Sequence, residues 1–184
     1  LVHDDDADRR LVERFRAGDR EAFAEIVVRY QRPVYNAAWW ITRSADDAND
    51  VAQDVFLRVA EHLDDYDPRY RLFSWIYRIA VNEALSLVRR HGREDPLDDD
   101  ADASDDGGGD PERIASGAES ARRLQEALMA LPAHDRAVIT LRHFAELSYR
   151  EIADALDVDE KTVKSRLFEA RSRLKGRLLD LDVR

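Results

Sequence analysis

Cysteine is absent from the 184-residue chain, which removes disulfides, thiolate metal sites and cysteine nucleophiles together. Long apolar runs are missing as well. Charge interrupts every hydrophobic stretch before the roughly 18 residues that a membrane span requires, and no signal-peptide pattern opens the sequence. The five histidines (His3, His62, His91, His134 and His143) have no paired spacing of the kind that holds a metal. No phosphate-binding glycine loop and no nucleophile–base pair is present. The expectation is a cytoplasmic protein that is not an enzyme and needs no cofactor.

Basic residues are missing from one place only. Between Glu94 and Glu112 there are ten acidic residues and no Lys or Arg. The whole chain has 39 acids and 29 bases, so the formal net charge of −10 resides in that segment and the remainder balances. An acidic total therefore does not argue against a nucleic-acid partner. The same segment, 92–112, lacks aromatics and has only Leu97 as a large apolar residue. It cannot bury enough surface to offset its ordering entropy, so it reads as a flexible acidic linker between domains at 9–91 and 113–181.

Both flanking segments read as all-α. Leu11, Val12 and Phe15 begin an amphipathic helix, and Asp19 suits the cap of a second through Phe23, Ile26, Val27 and Tyr30. Pro33 is expected to restart the chain, with "VYNAAWWIT" helical after it. Ser44 and Asp47 fit the start of a helix in which Ala48, Val51, Val55, Val59 and Leu63 recur at helical spacing. "DDYDPRY" ends it, and a further helix runs from about Leu72 to Arg90. Beyond the acidic segment come helices over Ile114–Leu131 and "HDRAVITLRHF". Ser148 and Glu151 then fit a capping box, Asp157 and Val158 a tight turn, and Asp159 the cap of a long basic helix.

Two helices joined by so short a turn, the second strongly basic, describe a helix-turn-helix. Val163, Leu167, Ala170, Leu174 and Leu178 advance by four, three, four and four, which forms one apolar stripe. Lys161, Lys164, Ser165, Phe168, Arg171 and Lys175 lie opposite, bordered by Arg166 and Glu169. That face offers cations to phosphates, a hydroxyl to base edges and an aromatic ring to a thymine methyl. Glu169 is the anomaly, since a carboxylate near phosphates is repelled. It either pairs with Arg166 or Arg173 at helical spacing or accepts from a cytosine amino group.

A second cationic stripe, Arg71, Ser74, Arg78, Asn82 and Arg89, is interleaved with Phe73, Trp75 and Tyr77 and preceded by Tyr66 and Tyr70. Rings among cations suit single-stranded nucleic acid, although core packing explains the same rings, and for Phe73 it is the better account. Asp47, Asp50 and Asp54 make an acidic helix face. Asp46 to Asp50 also spells DDxxD, but a diphosphate-binding enzyme would need a second facing carboxylate cluster, so a solvated or protein-docking face is the better reading.

In order along the chain, "AFAEIVVRYQRPVYNAA", "DANDVAQDVFLRV", "FSWIYRIAVNEAL", "LPAHDRAVITLR" and "LSYREIADALDVDEKTVKSRLFEARSRLK" resemble the regions of the extracytoplasmic-function sigma factors of bacterial RNA polymerase. The resemblance implies a promoter-recognising initiation factor, acting in a stress or envelope response. Asp47, Asp50, Gln53 and Asp54 would dock on a coiled coil of the polymerase's largest subunit. Tyr66, Tyr70, Arg71, Trp75, Arg78 and Asn82 would hold the melted −10 strand with one base flipped. The C-terminal helix-turn-helix would read the −35 element as duplex, and an anti-sigma factor is a partner the family admits. The loop "PRYRLFSW" lacks the glycine that the family often has there, and Glu169 stands where the family is frequently basic. The rival reading, a two-domain response regulator, shares "EIADALDVDEKTVKSRL" but requires an alternating α/β receiver domain, and nothing before residue 91 alternates that way.

Overall fold

A computed structural model describes residues 5–92 and 118–182, and all regular structure among them is helical. Four helices precede the acidic segment: α1 (Asp5–Arg16), α2 (Arg20–Thr42), α3 (Ala45–His62) and α4 (Leu72–Arg90). Four follow it: α5 (Ala118–Met129), α6 (Ala133–Ile139), α7 (Tyr149–Leu156) and α8 (Glu160–Asp182). Apart from Gly92, the expected linker lies outside the described residues. Gly92 takes a left-handed φ of 66° and its amide donates to the carbonyl of Arg89, which closes α4 with a conformation other residues adopt at a cost.

The local signals operate as their chemistry requires. Asp19 accepts from the Glu21 amide and Ser44 from the Asp47 amide, each occupying a donor that the helix itself leaves unpaired. Pro33 does not restart the chain as expected. α2 runs through it for 23 residues, with Val34, Ala37, Ala38 and Ile41 buried beyond it. The carbonyl of Pro33 accepts from the Tyr77 hydroxyl at 3.0 Å, which ties this point of α2 to α4. Burial of the whole apolar face outweighs the single missing N–H. After α6 the helix loosens into one π-type turn over Thr140–Phe144, where the amide of Ala145 reaches back five residues to Thr140.

α2, α3 and α4 pack around Ile26, Tyr30, Val34, Val55, Phe73, Ile76 and Ala80. α1 closes one end. There buried Asp8 accepts from the Tyr30 hydroxyl and pairs with Arg29 at 2.6 Å, so the carboxylate is neutralised where it is desolvated. Arg16 donates to the carbonyls of Leu63, Asp64 and Tyr66, which fixes the turn leading into α4. In the second half, α6, α7 and α8 enclose Val138, Leu141, Leu147, Ile152, Val163 and Leu167.

The two halves are packed against each other, α2 on α6 and α4 on both α6 and α7. Buried Arg136 of α6 is the central contact. Its guanidinium donates to the carbonyl of Leu131 in its own half, and to those of Trp40 (2.7 Å) and Ile41 (2.6 Å) at the end of α2. Those α2 carbonyls have no acceptor role left within the helix, and the negative end of the helix dipole favours a cation there. Trp40 stacks on Phe144 across the same junction, with ring centroids 5.7 Å apart. Arg136→Ala strands three desolvated carbonyls and is expected to cost about 3 kcal/mol in urea denaturation, with Arg136→Lys recovering little because an ammonium cannot fork to all three.

Candidate nucleic-acid and polymerase surfaces

The helix-turn-helix is built by caps. Ser148 accepts from the Glu151 amide and Glu151 accepts from the Ser148 amide, so both ends of the capping box close at the start of α7. Asp157 then turns the chain in a left-handed conformation (φ 52°), and Asp159 accepts from the Thr162 amide at 2.5 Å to start α8. Burial of Glu151 would raise its pKa, but hydrogen bonds from Ser148 and Ser74 outweigh this and hold it below the ordinary value.

α8 divides cleanly. Val163, Leu167 and Ala170 are buried and Leu174 and Leu178 half-buried, whereas Lys161, Lys164, Ser165, Phe168, Glu169, Arg171 and Lys175 are exposed; Arg166 is intermediate. The Phe168 ring is 75% exposed, an unusual position for an aromatic with no partner surface. The cations are steadied from the side. Lys164 and Arg142 both lie over the Tyr149 ring, at 5.9 and 5.5 Å. Arg171 contacts the His143 ring at 3.2 Å. Burial, followed by the charges of Arg171 and Arg142, pushes the His143 pKa down, so its ring is neutral at neutral pH and accepts from the guanidinium. Glu169 faces Arg173 at 3.8 Å and also accepts from the Ser165 hydroxyl at 3.3 Å.

The stripe on α4 is placed differently. Phe73 is core, as is Tyr77. Tyr66 is also buried: its ring lies 5.4 Å from Trp75 and its hydroxyl donates to the Tyr70 carbonyl, so it shapes the loop and offers no open ring. Tyr70 is 61% exposed. Arg71 reaches Asp5 at 3.4 Å and Arg78 is exposed. Ser74 donates to Glu151 of α7 at 3.2 Å, and Asn82 donates to the carbonyl of Ala155, in the last turn of α7, at 2.9 Å. Between α4 and α7 remains a cavity of about 490 Å³ bordered by Tyr70, Trp75, Arg78, Arg150 and Asp154. The α4–α7 contact had no signal in the sequence, because one of its two hydrogen bonds ends on a backbone carbonyl and both join helices more than seventy residues apart.

On α3, Asp50, Gln53 and Asp54 form one exposed stripe. Asp47 leaves it: half-buried in the first turn, it lies 3.8 Å from the His91 ring. Leu57, one turn beyond Gln53 and Asp54, is 63% exposed and continues the stripe with an apolar contact that the charge pattern did not reveal. Beside it an apolar groove of about 680 Å³ runs between α2 and α3, lined by Phe23, Val27, Tyr35, Ala52 and Phe56.

The Sigma-70 region 2 family model matches residues 26–94 and that of Sigma-70 region 4 matches 121–174. The chain is 34% identical over 183 residues to the ECF RNA polymerase sigma-E factor of Escherichia coli K12, covering 95% of each. It is 30% identical to the ECF RNA polymerase sigma factor SigW of Bacillus subtilis 168, over 94% of this chain and 97% of that one. The chain belongs to the extracytoplasmic-function sigma factors. Solved structures share its fold, among them the following two. One is CnrH in complex with the cytosolic domain of CnrY (TM-score 0.67, 28% identity, 96% of this chain and 99% of that one). The other is the sigma factor RpoE in complex with the anti-sigma factor NepR from Bartonella quintana (TM-score 0.65, 27% identity, 87% and 98%). Region 2 of this sigma factor thus spans most of α2 with all of α3 and α4, and region 4 contains the helix-turn-helix. A sigma factor is an initiation factor and not an enzyme.

The two faces of α8 are separable by measurement. Leu167→Ala removes a fully buried side chain and is expected to lower unfolding stability by about 2–5 kcal/mol. Phe168→Ala is expected to change stability by less than about 0.5 kcal/mol. Equal costs at the two positions would mean the helix is rotated from the orientation described.

Proposed function

We propose that this sigma factor joins core RNA polymerase through the α3 stripe, reads the −35 element as duplex with α8, and holds the melted −10 strand on α4 and the loop before it. The observation that carries the reading is the segregation on α8: every apolar residue of the stripe turns inward while four cations, a hydroxyl and an exposed ring share the other side. Cations supply salt-dependent affinity for phosphates, and Ser165 and Phe168 are the groups able to distinguish bases. Asp50, Gln53 and Asp54, with Leu57 at the end of the stripe, offer the polymerase an acidic face with an apolar edge; Asp47 supports it from the first turn of α3. Tyr70, Arg71, Trp75, Arg78 and Asn82 supply rings and donors for unstacked bases, and Tyr66 holds the loop in shape. Such a factor works in the cytoplasm, where the polymerase is. No helix among the described residues is long and apolar enough to cross a membrane. A stress or envelope response and control by an anti-sigma factor follow the same family pattern, and the RpoE–NepR complex supports the latter.

The packing of α7 on α4 adds a condition. Asn82 and Ser74, both on the −10 face, are hydrogen-bonded to α7, so a strand can take over the hydrogen bonds of these two residues only when α7 releases them. The cations Lys161, Lys164, Arg171 and Lys175 of α8 are already exposed and need no such release.

Transcription from a genomic fragment library with purified core polymerase tests the whole reading and yields the promoter. Asp50→Arg with Asp54→Arg is expected to abolish co-purification with core enzyme while leaving helicity unchanged, since reversing charge at a desolvated contact costs several kcal/mol, about 2–5. Undiminished binding would remove the α3 assignment. Asn82→Ala is expected to weaken binding to single-stranded −10 DNA at one base position in the holoenzyme, and a uniform loss across positions would contradict a base-holding role.

A further inference from the structure

Three residues spaced four apart on α8, Ser165, Glu169 and Arg173, form a line of polar contacts, one hydrogen bond and one ion pair, along the border of its exposed face. Arg173 is anchored at one end, its guanidinium donating at 2.5 Å to Asp135, a buried carboxylate of α6. The other edge of that guanidinium faces Glu169 at 3.8 Å. Glu169 in turn accepts the Ser165 hydroxyl at 3.3 Å, and Ser165 lies opposite the buried Val163–Leu167–Ala170 stripe. The line thus runs from the core of the second half out to the centre of the surface that would meet DNA.

A serine hydroxyl has one proton and two lone pairs. Left alone on a helix it rotates, and it can donate to one base and accept from another. With its proton directed to a carboxylate, it presents only lone pairs outward. In the major groove the exocyclic amines of adenine (N6) and cytosine (N4) are donors, whereas guanine O6 and N7 and thymine O4 are acceptors. The nearby charge of Glu169 acts in the same direction, since it attracts amines and repels carbonyl oxygens. This also accounts for a carboxylate beside a phosphate-binding surface: what it loses in general affinity it returns as discrimination.

We propose that Glu169 is a specificity-determining positioning residue, which holds the Ser165 hydroxyl as an acceptor so that α8 selects a base bearing an exocyclic amine at one position of the −35 element. The proposal rests on the −35 reading of α8 given above. Glu169 acts through Ser165 and does not itself touch the base.

The test uses holoenzyme formed with core polymerase and a library of −35 duplexes randomised across the contacted stretch. The wild-type protein is expected to favour adenine or cytosine over guanine and thymine at one position by roughly tenfold. Glu169→Ala should release the hydroxyl, reduce that preference to within about twofold, and raise affinity modestly across all sequences as a negative charge is removed. Ser165→Ala should lose the same preference, and the double variant should be no worse than either, because the two residues act as one unit. Glu169→Gln, whose amide oxygen still accepts the hydroxyl proton, should retain part of it. Whichever amine is selected, replacing adenine by unsubstituted purine, or cytosine by 2-pyrimidinone, deletes only the amino group and should remove the advantage. If Ser165→Ala keeps a preference that Glu169→Ala destroys, Glu169 contacts the base directly and the proposal is wrong. It is equally wrong if both variants change affinity uniformly and leave the preference intact. If the wild-type holoenzyme selects no duplex sequence at all, the −35 reading fails, and the role of Glu169 fails with it.

Discussion

The guanidinium of Arg136 is the contact on which the arrangement of the two halves depends. It is buried, and it satisfies carbonyls from both halves at once: Leu131 on one side, Trp40 and Ile41 on the other. A charge is expensive to desolvate, so a buried arginine persists only where acceptors are already in place. The end of α2 supplies two of them together with the negative pole of a 23-residue helix. The Trp40–Phe144 stack and the α4–α7 hydrogen bonds then fall into register around that point. An apolar residue at 136 would leave these carbonyls unpaired where they are desolvated, and the junction would rest on the stack and the α4–α7 hydrogen bonds alone.

In the second half, long polar side chains at the surface are each steadied by a side chain on a neighbouring element. Asp135, next to Arg136 in sequence, orients Arg173 of α8. Tyr149, half-buried at the start of α7, presents its ring to Arg142 and Lys164. His143, kept neutral by burial and neighbouring cations, accepts from Arg171. Each long side chain that would otherwise sample many rotamers is restrained before any DNA arrives, which lowers the entropy lost on binding.

Much of this was legible in the residues. The capping box at Ser148 and Glu151, the turn at Asp157 and the inward stripe of α8 follow from local rules, because cap, turn and periodicity are decided within a few residues. The exposed carboxylates of α3 were legible for the same reason. Other features, besides the α4–α7 contact and Leu57, were not. Pro33 suggested a break, yet the apolar face on either side of it kept α2 whole. Tyr66 sat among candidate stacking rings but is held inside by Arg16 and Trp75, which lie fifty residues before it and nine after. Arg136 had no distinguishing mark in "HDRAVITLR": two of its three partners are carbonyls nearly a hundred residues away, and backbone acceptors leave no trace in side-chain pattern.

If α4 holds the melted strand as proposed, the hydrogen bond from Asn82 to the carbonyl of Ala155 has a consequence for how often the free factor can bind it. A ligand that requires the separated form binds with an apparent affinity reduced by the fraction of molecules that are separated. If closure is favoured by about 2.7 kcal/mol, roughly one molecule in a hundred presents the α4 face at any moment. Any partner that binds the separated form raises that fraction by its own differential affinity. Core polymerase acting in this way would make strand recognition a property of the assembled enzyme, so that surplus free factor stays off transiently melted DNA elsewhere in the genome.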